Sequence, residues 1–434
     1  PRVILLPTWW KARKLLRDQF EKRGWEVTED SSVLDSADPA VDLTWCSGRD
    51  VPWHHVLEGK IGSNLYYLKT CINRKADMHR MIEKHARKFP GSRLMSAIPT
   101  THVVDLVELR EDEEDVTEYL EQLKEELKKD GDLWVLKASD SNRGQDVHLF
   151  SLEEIAKTKM MEILQTSQSN VWLLQRCIDP PMLYQNRKFH LRVLAVAKGD
   201  LEVRVHRNIV VIPAHSQYTK RDGVVDKYAF LTNHCVQSTH DDFSKGKSLL
   251  LQEFCQELVE DGRAADFATA DDLFRHFFKN ICDIISEVFA ASKLCPAGFF
   301  PMPHCFEIFG CDMMIDEAGG VWLLEINSDP SFALYEGEKL EPKLAEIIED
   351  VLDFVLGDGW AEGAGKCGGA ENCPGTDKSW SDWWRENPHV TSVYVAGFPF
   401  YNHEKHGVSG AGAGTGAGAG TRIGAGAGAG AGAG

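Results

Sequence analysis

No apolar run in this sequence approaches the roughly 18 residues that a helix needs to cross a bilayer, so no membrane-spanning helix is expected. The phosphate-binding signature GxxxxGK[ST] is missing as well: SKGKS near 244 has Asp241 where the first glycine should stand, which excludes a P-loop. A GxGxxG fingerprint occurs only in the repetitive tail, with no strand ahead of it. Cysteine is not scarce, with 11 in 434 residues, but its spacing does not repeat. Cys367 and Cys373 have no second pair and no nearby histidine, so zinc is not expected there, and the scatter fits reduced thiols in a cytosolic compartment. Positive charge is in deficit. The 48 Lys and Arg against 66 Asp and Glu leave −18, which argues against a general nucleic-acid binder. The first residue is Pro1 rather than Met, which leaves room for a removed targeting signal.

What is present reads as a globular protein, with 43% hydrophobic and 26% charged residues and a length that suggests two to three domains. VILLP at 3–7 is a short buried strand, and TWWKARKLLRDQFEKRGW after it has helical spacing that Gly24 stops. A strongly helical, mostly exposed acidic segment at 111–129 leads into the strand LWVLKA. Ser151 is placed as the N-cap of SLEEIAKTKMMEIL, and VWLLQRCI follows as a strand. FHLRVLAVA and LEVRVHRNIVVIPA form a hairpin around Lys198, Gly199 and Asp200. The span from 272 has apolar residues at 273, 277, 281, 284, 285 and 288, one face of an amphipathic helix, and LAEIIEDVLDFVL is a second. Beyond Gly357 a Gly- and Trp-rich stretch, with Trp380, Trp383 and Trp384 expected to pack back on the body, gives way to a Gly-Ala tail expected to be disordered. Two basic segments, 11–23 and 74–88, stand out against the acidic whole.

The stretch CDMMIDEAGGVWLLEINSDP from Cys311 to Pro330 carries the chemistry. Two apolar runs flank EAGG, the pattern of a β-hairpin. With Glu317–Gly320 as a four-residue turn, Asp312 lies opposite Glu325, and Asn327 points to the same side. Two facing carboxylates repel unless something positive lies between them, and hard oxygen ligands plus one amide suit magnesium held jointly with phosphates. Upstream, Lys137 ends a strand and precedes ASDSNRGQD, a polar loop whose amides, with Arg143, can cover phosphate oxygens.

In order, Lys137, the loop at Gly144, the strand Leu174–Ile178, RKFHLR at 187–192, LTN at 231–233 and the carboxylate hairpin resemble the tubulin tyrosine ligase-like family of the ATP-grasp superfamily. FEIFGCDMMID followed by WLLEINSDPS is the most specific part. The match covers roughly 131–357 well and 1–130 more loosely, through features such as YLKTCINRKADMHRMI. The resemblance implies an α/β (α+β) fold, with two ATP-grasp lobes around an ATP site after a small N-terminal α/β domain. The expected divisions are 1–75, 76–185 for the central lobe, 186–357 for the lobe with the metal site, and 358–434 for the tail region.

It further implies that Lys137, Arg143 and Gly144 contact ATP phosphates, and that Gln175, Arg176, Cys177 and Ile178 read adenine. Lys188 and Arg192 reach phosphate and the activated carboxylate, Thr232 and Asn233 lie near the nucleotide, and Asp312, Glu325 and Asn327 hold Mg2+. The implied partners are a free amino acid and the acidic C-terminal tail of tubulin, with no nucleic acid and no membrane, in the cytoplasm with the cytoskeleton. The chain departs from the family pattern at Asp146, at His190 in place of an aspartate, and at Val211 and Ile212, where an arginine is common. A tyrosine ligase, a polyglutamylase and an inactive ATP- or tubulin-binding module therefore all stay open.

Overall fold

The computed structural model describes residues 1–6, 10–111, 115–128, 133–141, 146–218, 227–230, 232, 248–335, 339–357 and 395–397. The tryptophan cluster and the Gly-Ala tail lie outside these residues. The first sheet is parallel, Arg2–Leu6 (β1), Glu26–Thr28 (β2), Leu43–Cys46 (β3) and Gly62–Ser63 (β4), ordered β2-β1-β3-β4. The basic segment after β1 is the helix Trp10–Lys22, and Gly24 turns the chain with φ +76°. Four of the segment's cations are in ion pairs: Arg13 and Arg17 with Glu29, Lys22 with Glu349 and Arg23 with Asp353.

Thr101–Asp105 (β5), Leu133–Ala138 (β6), Val147–Ser151 (β7) and Val171–Arg176 (β8) form a second, antiparallel sheet in the order β5-β8-β6-β7. The acidic segment differs from the expected single helix. Helix Leu106–Glu111 is followed by a separate helix Val116–Leu127, because the Asp115 side chain accepts from the N–H groups of Thr117 and Glu118 and so starts a new helix. Leu120, Leu123 and Leu127 bury one face of it against Trp134, Leu136 and Trp172. Ser151 does cap, but it caps a single 3₁₀ turn, Leu152–Glu154, in a reciprocal arrangement with Glu154; the helix proper is Thr158–Thr166.

The third sheet is built on one long strand. Its members are Leu183–Tyr184 (β9), Arg187–Lys198 (β10), Glu202–Val205 (β11), Val210–Pro213 (β12), Leu249–Leu250 (β13), Phe306–Ile315 (β14), Val321–Ser328 (β15) and Val395–Gly397 (β16). β14 runs antiparallel along one side of β10; β12 and then β11 pair with its other side. The hairpin at Gly199 is present, but its second arm breaks into β11 and β12. Helix Ala270–Lys293 buries Leu273, Phe277, Ile281, Ile284, Ile285 and Val288, and helix Glu341–Leu356 covers the opposite face.

The first and third sheets share their cores. Ile4, Ile61 and Ile82 pack with Phe189, Leu191 and Val193, while Val3, Leu5 and Phe20 pack with Leu194, Val196 and Val351. The second sheet has a core of its own, drawn from Val104 to Leu174. The molecule is thus a large body carrying a smaller, separately packed lobe. Among the described residues no helix is long and apolar enough to cross a membrane.

Candidate functional site

β10 sends alternate side chains to opposite faces. Phe189, Leu191 and Val193 enter the larger core, whereas Lys188, His190 and Arg192 line up on the other face, which turns from apolar at Leu194 to charged where it meets the second sheet. Arg192 lies opposite Asp312 on β14 and donates Nε to Oδ1 at 2.7 Å and Nη2 to Oδ2 at 3.3 Å. Gly310 makes that crossing possible. A Cβ there would stand 2.8 Å from the Pro330 Cβ and 3.2 Å from Arg192 Nη1.

The facing carboxylates arise through a bulge. Near the turn the partners are Ile315 with Val321 and Met313 with Leu323, a register that would set Asp312 against Leu324. The turn is five residues long rather than the expected four, held by Asp316, which accepts from Gly320 N and from Trp322 Nε1, each at 2.7 Å. The register then shifts by one, so that Leu324 and Glu325 both line the cleft and Asp312 pairs with Glu325. Ile326 returns to the core. Asn327 bridges the two acids, its Nδ2 lying 3.3 Å from Asp312 Oδ2 and 3.1 Å from Glu325 Oε1.

Cations surround the pair. Lys75, at the start of helix Lys75–Lys88, places Nζ 2.6 Å from the Ser141 carbonyl and 3.4 Å from Glu325 Oε2. Burial alone would raise the Glu325 carboxyl, but the Lys75 and Lys137 ammoniums and the Asn327 amide overcome it and hold the group down at about 2. Asp312 moves the other way, pushed up to about 6 by burial and by the charge of Glu325 against the pull of Arg192. Burial pushes the Lys137 ammonium down to about 8, and Lys188 down as well. His190, buried and beside Arg192, falls to about 3 and is a neutral imidazole at physiological pH; its Nδ1 lies 2.7 Å from Thr232 Oγ1.

These groups meet at a cleft between the second and third sheets. Of the residues expected from sequence, Lys137, Gln175, Arg176, Cys177, Ile178, Lys188, Thr232, Asp312 and Glu325 line it, and Arg192 and Asn327 adjoin it through Asp312. Arg143, Gly144 and Asn233 lie outside the described residues. The Gln175 side chain accepts from Lys137 Nζ at 2.6 Å and donates to Thr101 Oγ1 at 2.9 Å, so it holds Lys137.

Sequence reasoning missed Lys75, which was grouped with a surface patch, and the apolar lining of Val135, Val147, Leu149, Met314 and Leu324. Periodicity could have flagged Met314, two residues past Asp312. Among the departures, His190 and Ile212 are buried and pair with each other, His190 lining the cleft, whereas Asp146 is exposed and takes a positive φ, +52°. The donor set fits a hard cation. Two carboxylates and one amide converge, too few for a protein-only cage but enough for an ion that also takes phosphate oxygens, provided that Asn327 turns its oxygen inward.

An antiparallel lobe set against a charged sheet, with a cleft between them, is a fold shared with an ATP-grasp enzyme of known structure. The model of the tubulin-tyrosine ligase family matches residues 63–359, and the chain belongs to that family. It is similar to a probable tubulin–tyrosine ligase of Schizosaccharomyces pombe, 27% identical over 381 residues that cover 78% of this chain and 86% of that one. It is also similar to a probable tubulin polyglutamylase of Mus musculus, 31% identical over 216 residues covering 49% of this chain and 43% of the mouse protein. In fold it matches the crystal structure of the C-terminal domain of K. lactis Pby1, described as an ATP-grasp enzyme interacting with the mRNA decapping enzyme Dcp2. That match has a TM-score of 0.58 at 20% identity and covers 81% of this chain and 92% of that one.

Proposed function

We propose that the chain is an ATP- and magnesium-dependent carboxylate–amine ligase of the cytoplasm that adds an amino acid, tyrosine in first place, to the C-terminal tail of tubulin. The observation that carries this reading is the convergence of Lys75, Lys137 and Lys188 on one cleft with Asp312 and Glu325, with Arg192 joined to it through Asp312. Joining a carboxylate to an amine in water is uphill, so the tail carboxylate first takes the terminal phosphoryl group of ATP, and the amine then attacks the acylphosphate. No protein nucleophile is needed; positioning and charge neutralisation supply the rate.

Lys75, Lys137 and Lys188 line the wall against which phosphates would lie. Arg192 is fixed to Asp312 through Nε and Nη2, which leaves Nη1 for the oxyanion that develops as the amine adds. Magnesium, held by Asp312, Glu325 and Asn327 together with phosphate oxygens, would add further neutralisation. Val135 and Leu149 on one wall and Met314 and Leu324 on the other suit a flat base between them.

The test is incubation of the full chain with detyrosinated tubulin, ATP, magnesium and labelled tyrosine, glutamate or glycine in parallel, read by mass spectrometry of the tails. Tyrosine incorporation is the expected result. Glutamate incorporation would replace it with the polyglutamylase reading, which the mouse relative favours. No incorporation, in a preparation shown to bind ATP, would overturn the ligase and leave a binding module.

A further inference from the structure

The ligase reading makes no use of Cys71 and Cys295, which meet outside the cleft. Cys71 lies in the short helix Thr70–Asn73, and Cys295 follows helix Ala270–Lys293 in the sequence Cys-Pro-Ala-Gly. Cys71 N donates to Gly298 O at 3.1 Å, and Gly298 N to Cys295 O at 2.8 Å. The approach leaves room for glycine alone, since a Cβ on Gly298 would stand 2.5 Å from Cys71 Cβ. That same point is 3.1 Å from the Cys71 sulfur and 3.2 Å from the Cys295 sulfur. Both sulfurs border one point beside Gly298, and the two thiols share a hydrogen bond.

Neither cysteine is in a disulfide, and the two differ in access. Cys71 is buried; Cys295 is partly exposed, beside exposed Leu294, Pro296 and Ala297. Their acidities differ in the same sense. The hydrogen bond from Cys71, together with the Gly298 N–H and the Lys84 ammonium, outweighs burial and holds the Cys295 thiol down at about 6, whereas that hydrogen bond and burial push Cys71 up. Five other described cysteines, Cys46, Cys177, Cys255, Cys305 and Cys311, are buried, a setting that keeps thiols inert.

We propose that Cys71 and Cys295 form a redox pair, with Cys295 the thiol that attacks a peroxide and Cys71 the resolving thiol, and that the resulting disulfide weakens the nucleotide cleft through Lys75. The Cys295 thiolate attacks one peroxide oxygen, the O–O bond breaks, and hydroxide leaves, giving a sulfenic acid on Cys295. Cys71 then attacks the Cys295 sulfur; the S–O bond breaks, and the departing hydroxide takes the Cys71 proton as water. In sum, two thiols and one hydrogen peroxide become one disulfide and two waters.

The link to the cleft is short. A disulfide holds its sulfurs ~2.05 Å apart, well inside non-bonded contact, and with Gly298 packed against Cys71 Cβ the closure pulls on the Thr70–Asn73 turn. Cys71 is four residues before Lys75, whose Nζ bonds the Ser141 carbonyl and pairs with Glu325, while Ala76 N donates to Ser139 Oγ at 3.1 Å. A shift of that segment therefore displaces the cation joining the two walls. The effect on ATP rests on the ligase reading; the disulfide does not.

The experiment titrates the full chain with hydrogen peroxide, then follows intact mass, alkylated peptides and ATP affinity. The expected result is loss of two hydrogens, reversed by dithiothreitol, in a peptide pair joining Cys71 to Cys295 before other cysteines react. ATP affinity should fall with it, by roughly tenfold. Cys71→Ser should trap the sulfenic acid on Cys295 as a dimedone adduct, and Cys295→Ser should make ATP affinity insensitive to peroxide. Unchanged alkylation of Cys295 after peroxide overturns the pair, and a disulfide that leaves ATP affinity unchanged overturns the coupling. A chain that binds no ATP in either redox state refutes the nucleotide reading instead, while the mass data still decide the pair.

Discussion

At the scale of single residues, charges brought into a cleft account for most of the chemistry. Lys137 has its ammonium pushed by burial from the ordinary 10.5 down to about 8, and a bound phosphate favours the charged form. Affinity for ATP should therefore be full below pH 8 and fall above it, by about tenfold at one unit above the pKa. The sign reverses for the free protein. A folded pKa below the unfolded one means that burying the charged lysine costs stability at neutral pH, and that stability rises between about 8 and 10.5. Calorimetric titration of ATP and thermal unfolding of the apo chain, each across pH 7 to 9, check both slopes, and Lys137→Met should flatten both. Arg192 makes a second prediction. Replacing it by leucine leaves Asp312 buried without its partner, which should lower stability by ~3–5 kcal/mol in urea unfolding, and adding Asp312→Leu should recover part of the loss. A single variant as stable as the parent would contradict the pair's role.

Among the elements, the β14–β15 hairpin decides the site, and its bulge is what aims Glu325. Deleting Leu324 should carry the turn-side register through the whole ladder, with Glu325 moving into the place opposite Asp312 and Leu323 and Ile326 still on the core face. Such a chain is expected to retain magnesium-dependent ATP binding, because both acids still face the cleft. Loss of that binding with the melting profile retained would count against the pairing.

The same hairpin shows what the sequence discloses. Its two strands, its turn and the facing of Asp312 with Glu325 were legible because apolar alternation and Asp-Glu-Ala-Gly-Gly are local signals. The bulge was not, since a five-residue turn and a one-residue insertion compensate, leaving the same pairing at the acids as a four-residue turn without one. Lys75 stayed hidden for a different reason: it reaches the cleft across 250 residues of chain, and nothing near it separates it from the exposed cations of its helix. Asp115 starts the second helix of the acidic segment, but the strong helical propensity on both sides of it masked the break.

At the scale of the whole molecule, two bodies meet at the cleft. The first and third sheets share their cores while the second sheet has its own, so the lobe with Lys137 can shift against the body with Asp312 without opening either core. ATP with magnesium should join the two, and amide exchange of β6, β7 and the segment from Lys75 should slow on binding more than that of the Ala270–Lys293 helix. The basic surface divides as well. The 11–23 segment is largely paired with Glu29, Glu349 and Asp353, and within 74–88 Lys75 pairs with Glu325 and Arg80 with Asp105 and Glu108, so exposed Lys84, Arg87 and Lys88 form the better face for an acidic tail. Neutralising Lys84, Arg87 and Lys88 together should raise KM for a glutamate-rich tail and flatten its salt dependence, with kcat retained. No change in either quantity would remove that face from the acceptor site.

The central claim is that the charged cleft binds ATP through a metal held on the hairpin. The most direct measurement is calorimetric ATP affinity with and without magnesium, in the parent chain and in Glu325→Gln, an isostere that removes one ligand charge and little packing. The account predicts that magnesium strengthens binding in the parent and that this dependence is lost in the variant while its melting profile is retained. Equal magnesium dependence in both proteins would contradict it.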